Sequence, residues 1–156
     1  MLIYLGADHR GFQIKEYIKV LLKNMGYEVS DMGSFRYDAN DDYPEFASLV
    51  AERVSRDNEN SRGILICGSG VGMDIIANKF PLVRSALVTS SDQAFDSRND
   101  DDANILCLAS NYLDAETIKK ITLTWLKTPF SREERYRRRI NKIHQIEEQL
   151  REIPND

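Results

Sequence analysis

Cysteine is scarce in this chain: only Cys67 and Cys107 occur in 156 residues, both inside apolar runs. Two thiols cannot supply the framework of bridges that holds a small secreted domain, so the fold must rest on a hydrophobic core, in which Cys107 reads as a small buried residue. Long apolar runs are missing too, none approaching the roughly 20 residues that cross a bilayer. The opening Met1-Leu2-Ile3-Tyr4-Leu5 lacks the charged leader and small-residue cleavage pattern of a signal peptide. A cytoplasmic protein without a membrane partner is expected. Positive charge is not in excess: 21 Lys and Arg against 25 Asp and Glu give a net charge of −4, so no general attraction to nucleic acid is expected. Internal repeats and low-complexity tracts are absent, and 42% hydrophobic with 29% charged residues suits one globular domain over residues 1–156.

What is present is organised around Gly63-Ile64-Leu65-Ile66-Cys67-Gly68-Ser69-Gly70-Val71-Gly72-Met73. An apolar run ends on a thiol, glycines follow at alternate positions, and a helical pattern begins at Ile75. This reads as a buried strand, a tight loop and a helix start. In open α/β sheets ligands bind at the carboxyl ends of the strands, where exposed N–H groups of a glycine loop hold an anion or a developing oxyanion.

The remaining chain alternates. Residues 2–7 form an apolar strand that runs into the polar turn Asp8-His9-Arg10-Gly11. Ile14, Tyr17, Ile18, Leu21, Leu22 and Met25 then recur three and four apart, a helix ending near Gly26. Residues 27–32 alternate as a second strand, 34–42 are loop-like, and Asp42-Tyr43-Pro44 opens a second helix carrying Phe46, Leu49, Val50 and Val54. Further strands are expected over 84–88 and 104–108, with a short helix over 90–98 and a longer one over 114–126. The last segment, 131–152, is charged on most faces; its sparse seam of Ile140, Ile143, Ile146 and Leu150 predicts a helix that packs on a partner subunit. The fold class that follows is α/β, a three-layer αβα Rossmann-like domain on a five-stranded, mostly parallel sheet.

The glycine loop lacks the lysine of a nucleoside-triphosphate loop and does not match the dinucleotide fingerprint. The sixth residue after Cys67 is Met73, not the arginine of a cysteine phosphatase. A thiol above a nest of N–H groups remains, its pKa expected to be lowered by the helix N-terminus so that it serves as base or nucleophile. From this stretch alone, a buried small hydrophobe is an equal reading.

Five segments tip that balance. Gly6-Ala7-Asp8-His9-Arg10-Gly11, Asp42-Tyr43-Pro44, Ile66-Cys67-Gly68-Ser69-Gly70-Val71-Gly72-Met73, Ala77-Asn78-Lys79 and Asp102-Ala103-Asn104, in this order and spacing, resemble the type B ribose-5-phosphate isomerase family, which includes allose-6-phosphate and galactose-6-phosphate isomerases. The likeness covers about residues 1–145. It implies a homodimer or dimer of dimers with sites shared between subunits, no metal or cofactor, and aldose–ketose interconversion of a sugar phosphate through an enediolate. By resemblance Cys67 moves the proton, and the N–H groups of Gly68, Ser69, Gly70, Val71 and Gly72 stabilise the enediolate oxygen. Ser69 would bond the thiol or the sugar, Asp8 would hold sugar hydroxyls and His9 would meet the phosphate. Arg135 and Arg139 match a pair that reaches the phosphate in the neighbouring subunit's site.

The departures gather before and after the fifth strand. The family's usual ring-opening histidine and the asparagine after it appear as Asp100 and Asp101, the arginine after the fifth strand as Asn111, the Gly-Gly before the last arginines as Glu133-Glu134, and a neighbouring histidine as Tyr136. Crowded carboxylates raise one another's pKa, so Asp100 is a candidate ring-opening acid, expected to face Cys67. A divalent cation on the Asp run is a further possibility, with solvated or capping carboxylates the plainer reading. The default substrate pair is ribose 5-phosphate and ribulose 5-phosphate; the alternatives are another pentose, tetrose or hexose phosphate, or a sugar-phosphate-binding subunit with impaired catalysis.

Overall fold

The computed structural model describes residues 1–153. Eleven elements follow in the order β1 (Leu2–Ala7), α1 (Phe12–Asn24), β2 (Glu28–Asp31), α2 (Tyr43–Arg56), β3 (Ser61–Cys67), α3 (Val71–Ala77), β4 (Ser85–Leu87), α4 (Ser91–Asn99), β5 (Ile105–Ala109), α5 (Ala115–Lys127) and α6 (Glu134–Arg151). The strands form one sheet in the order β2-β1-β3-β5-β4, and every pairing is parallel. The expected "mostly parallel" sheet is thus fully parallel, since a helix separates each strand from the next and returns the chain to the same edge.

Alternation along the strands sorts the core into two layers. Ile64 and Ile66 of β3 and Leu106 and Leu108 of β5 meet Ile18 and Leu22 of α1 and Ile118, Ile121 and Trp125 of α5. Leu65 and Cys67, with Ile105 and Cys107, face the opposite way, onto Ala47, Val50, Ala51 and Val54 of α2 and Met73 and Ala77 of α3. That alternation turns the Cys67 side chain toward α2 and α3. Cys107 is fully buried, as expected of a core residue.

Two helix starts and one buried charge differ from the sequence reading. The helix after the glycine loop begins at Val71, not Ile75; its first turn contains Gly72, the exposed Val71 and the acidic Asp74, so the buried Met73 stands alone without an apolar period to mark it. The last helix begins at Glu134, after Arg132 takes a φ of 59°. Lys15, on the face of α1 that also carries Ile18 and Leu22, is fully buried. Its ammonium donates to Asp31 Oδ1 at 2.6 Å and to the Ser34 carbonyl at 2.8 Å, which satisfies a charge that burial would otherwise make costly. This anchors the start of the loop from β2 to α2.

Helix α6 seats only part of its apolar seam on its own chain. Tyr136 and Ile140 are buried, whereas Ile143, Ile146 and Leu150 are 37%, 54% and 60% exposed. The Leu82 N–H donates to the Glu147 carboxylate and ties the helix to the loop before β4. Among the described residues no helix is long and apolar enough to cross a membrane.

Candidate active site

Strand β3 delivers Cys67 to the carboxyl edge of the sheet, and the chain reaches α3 through Gly68, Ser69 and Gly70. Gly70 has a φ of 74°, and a Cβ on it would lie 2.4 Å from Leu87 Cδ1, so glycine alone fits this turn. The turn folds the start of α3 back over the thiol. Gly70 N–H donates to Cys67 Sγ at 3.1 Å, and Val71 N–H donates to Ser69 Oγ at 3.3 Å. Among the described residues the Ser69 hydroxyl therefore serves the loop and makes no bond to the thiol.

Cys67 is only 4% exposed. Burial pushes its thiol above the ordinary value of 9.0; the N–H groups of Met73, Gly70 and Ser69 pull down, while the Asp8 carboxylate pushes up. The expectation of a thiol lowered by the helix N-terminus is thereby corrected, because desolvation of the anion outweighs the N–H groups that hold it.

The turn after β1 supplies the neighbouring groups. Asp8 Oδ1 accepts from the Arg10 and Gly11 N–H groups, each at 3.0 Å, which leaves Oδ2 without a protein donor among the described residues. Burial raises the Asp8 carboxyl; the Gly11 N–H and His9 oppose this, and Asp41 adds to it. His9 is held twice by Asp41 Oδ1, through Nδ1 at 2.6 Å and through its backbone N–H at 3.0 Å. One carboxylate thus fixes both the backbone and the ring of the histidine. The ligand atoms of Asp8, His9 and Asp41 lie within 4.8 Å of one another; His9 already engages Asp41 Oδ1, whereas Asp41 Oδ2 is buried without a hydrogen-bond partner among the described residues.

Asp100 and Asp101 lie elsewhere. They follow α4, which runs back from the carboxyl edge, and they precede Ile105, the first residue of β5. Cys67 pairs in register with Ala109, the last residue of that strand. Four steps at about 3.3 Å each place the acidic loop about 13 Å away along the strand, at the amino edge. Within one chain Asp100 therefore does not face Cys67.

Around the acidic loop the structure gathers a second group. Asp100 Oδ1 accepts from Asn99 Nδ2 at 2.7 Å. Burial and then the Asp100 carboxylate raise the Tyr136 phenol, which places Asp100 beside that hydroxyl. The Arg135 and Arg139 guanidinium carbons stand 4.4 and 5.7 Å from the centre of the Tyr136 ring. Burial, then Asp100, raise the Asp101 carboxyl, with Arg139 and Arg84 opposing. The acidic run does not gather three cation ligands among the described residues. Asp102 turns instead to Arg98 Nη1 at 2.7 Å and Arg84 Nη2 at 3.1 Å.

The structure brings Asp8, His9, Cys67, Ser69 and the glycines together at the carboxyl edge, and it sets Arg135 and Arg139 beside Tyr136, Asp100 and Asp101 rather than leaving the acidic loop against Cys67, as the sequence suggested. The sequence reading missed Asp41, Tyr43 against Gly72, and Ser110, whose hydroxyl donates to the Arg10 and Cys67 carbonyls. Asp41 and Tyr43 belong to the Asp-Asp-Tyr-Pro run, so its unusual acidity was a usable signal. Ser110 follows an apolar strand with nothing to mark it.

A family model described as Ribose/Galactose Isomerase matches residues 3–143. A protein from Mycoplasma genitalium named probable ribose-5-phosphate isomerase B is 44% identical over 148 residues, covering 94% of this chain and 96% of that protein. Ribose-5-phosphate isomerase B from Mycobacterium tuberculosis is 38% identical over 147 residues, covering 94% and 90%. The crystal structure of ribose-5-phosphate isomerase B from Mycoplasma genitalium with bound ribulose-5-phosphate superposes with a TM-score of 0.92 at 42% identity, covering 94% of this chain and 96% of that one.

Proposed function

The chain belongs to the ribose/galactose isomerase family, and on that premise we propose that it interconverts ribose 5-phosphate and ribulose 5-phosphate. The observation that carries this reading is Cys67 at the end of β3, with the Gly70 N–H on its sulfur and the Asp8-His9 turn beside it. The thiolate of Cys67 removes the proton from C2 of the open-chain aldose and returns it to C1. The electron pair moves into an enediolate, whose oxygen is met by N–H groups of the glycine loop, and the proton shuttles between the two enediolate oxygens. The free Oδ2 of Asp8 takes a sugar hydroxyl, and His9, oriented by Asp41, presents its ring to the substrate.

The site in this proposal is completed by a second copy of the chain. Cys67 and Asp100 lie at opposite edges of one sheet, so the ring-opening acid and the cations Arg135 and Arg139 must come from a partner's amino edge docked against this carboxyl edge. The exposed seam of Ile143, Ile146 and Leu150 on α6 is the apolar surface for that association, which assigns α6 to dimerisation. Location in the cytoplasm remains part of this proposal.

The test is to incubate the protein with ribose 5-phosphate and follow ketose formation, alongside tetrose and hexose phosphates. Preferred turnover of ribose 5-phosphate supports the reading. Preference for a hexose phosphate would reassign the substrate, and thermal stabilisation by sugar phosphates without turnover of any would make the chain a binding subunit.

A further inference from the structure

We propose that Arg10, backed by Asn111, is the phosphate-binding cation that the carboxyl edge itself contributes to the substrate site. This assignment rests on the isomerase reading above. It starts from a guanidinium in an unexpected place. Arg10 is exposed at the first turn after β1, and its side chain lies along the backbone of Gly68. A Cβ built on Gly68 would lie 2.7 Å from Arg10 Cδ, 3.3 Å from Arg10 Nη1 and 2.9 Å from Asn111 Nδ2. Both side chains therefore rest on the backbone of the residue after Cys67, and the Arg10 guanidinium and the Asn111 amide are neighbours.

The backbone holds this arrangement from both ends. Arg10 N–H donates to Asp8 Oδ1 at 3.0 Å, and the Arg10 carbonyl accepts from Ser110 Oγ at 2.9 Å. Asn111 N–H donates to the Gly68 carbonyl at 3.0 Å. The ends of β1, β3 and β5 are thus stitched together around one cation. That cation is unspent: among the described residues the Arg10 guanidinium forms no ion pair and no hydrogen bond, whereas Arg56, Arg84, Arg98 and Arg135 each pair with a carboxylate.

Charge decides what the guanidinium is for. The groups collected at this edge include the carboxylates Asp8 and Asp41, and a phosphomonoester dianion brought to them alone would be repelled. Arg10 is the permanently charged cation among the residues around the loop, and its planar donors suit a phosphate, with the Asn111 amide adding a neutral donor. Gly68 is what lets the pair approach, since any side chain there would displace them.

The experiment compares Arg10→Ala, Arg10→Lys and the double variant Arg10→Ala/Asn111→Arg with the wild type, on ribose 5-phosphate and on unphosphorylated ribose. Losing a charge-assisted contact predicts a KM for ribose 5-phosphate at least about tenfold higher, with kcat within about twofold. Arg10→Lys should fall between, and the double variant, which returns a guanidinium from the adjacent position, should recover most of the loss. Any turnover of ribose, which has no phosphate, should not fall in Arg10→Ala. An unaltered KM in Arg10→Ala, or an equal loss on ribose, overturns the assignment. If the wild type turns over no sugar phosphate, the isomerase reading fails, and calorimetric titration with ribose 5-phosphate still decides: binding lost in Arg10→Ala sustains the assignment, and equal binding in both proteins removes it.

Discussion

The two edges of the sheet solve opposite electrostatic problems. At the carboxyl edge a thiol is buried under N–H groups, and two carboxylates stand within reach of a single histidine. Around the sulfur, neutral N–H donors and backbone geometry dominate, the conditions under which a small charge displacement in a substrate is felt most strongly, and the Arg10 guanidinium, unpaired among the described residues, rests on the Gly68 backbone. At the amino edge, Arg84 and Arg98 close on Asp102, and Arg135 and Arg139 stack about Tyr136 beside Asp100 and Asp101. Full charges dominate there, suited to gripping a charged group and to holding a loop still. If, as proposed, one working site draws on both edges, substitutions at the two edges should fail in different ways.

The largest effect should come from the carboxyl edge. Cys67→Ala removes the proposed base and should lower kcat by about 10²- to 10⁴-fold, while thermal unfolding shifts little because only a sulfur atom leaves a packed site. Intact activity in this variant would remove chemistry from that edge altogether. At the amino edge, Arg135→Ala/Arg139→Ala should act mainly on KM, raising it by about 10- to 100-fold through lost charge-assisted contacts. A loss confined to kcat would blur the contrast between the edges.

Asp102→Ala sharpens the comparison from the side of stability. It leaves Arg98 and Arg84, whose side chains are 7% and 14% exposed, without their carboxylate, and it places alanine at a φ of 47°. A cost of about 2 kcal/mol is expected by urea unfolding, below the figure for a fully buried pair because Asp102 keeps some solvent contact. The smallest effect is the pH response. Because burial raises the Cys67 thiol, the thiolate fraction grows with pH across the neutral range, so kcat/KM should climb by about tenfold per unit from pH 7 to 8. A plateau reached near pH 7 would mean a thiol lowered by its N–H groups after all.

How much of this was legible in the sequence depends on range. The strand-to-loop-to-helix reading around Cys67 was local, carried by Ile64, Leu65 and Ile66 before Gly68 and Gly70, and it placed the thiol at the carboxyl edge. Alternating strands and helices gave the layers. The sense of the Cys67 shift was not legible, because it depends on how deeply Met73, Ala77 and the α2 residues bury the sulfur. Nor was the distance between Cys67 and Asp100: the resemblance sent Arg135 and Arg139 to the neighbouring subunit's site, but Asp100 was expected to face Cys67, and only the strand register sets the two at opposite edges of one sheet. Asp41 escaped for a similar reason: its partner His9 lies 32 residues away, beyond any periodic pattern.

The central claim is that one working site is built from the carboxyl edge of one chain and the amino edge of another. Subunit complementation tests it most directly: Cys67→Ala and Arg135→Ala/Arg139→Ala, each inactive or weak alone, are unfolded, mixed in equal amounts and refolded together. If the halves come from different chains, half of the dimers are mixed and each carries one intact site, so about a quarter of the wild-type activity should return. Activity that stays at the average of the two separate variants would contradict the account and confine the whole site to a single chain.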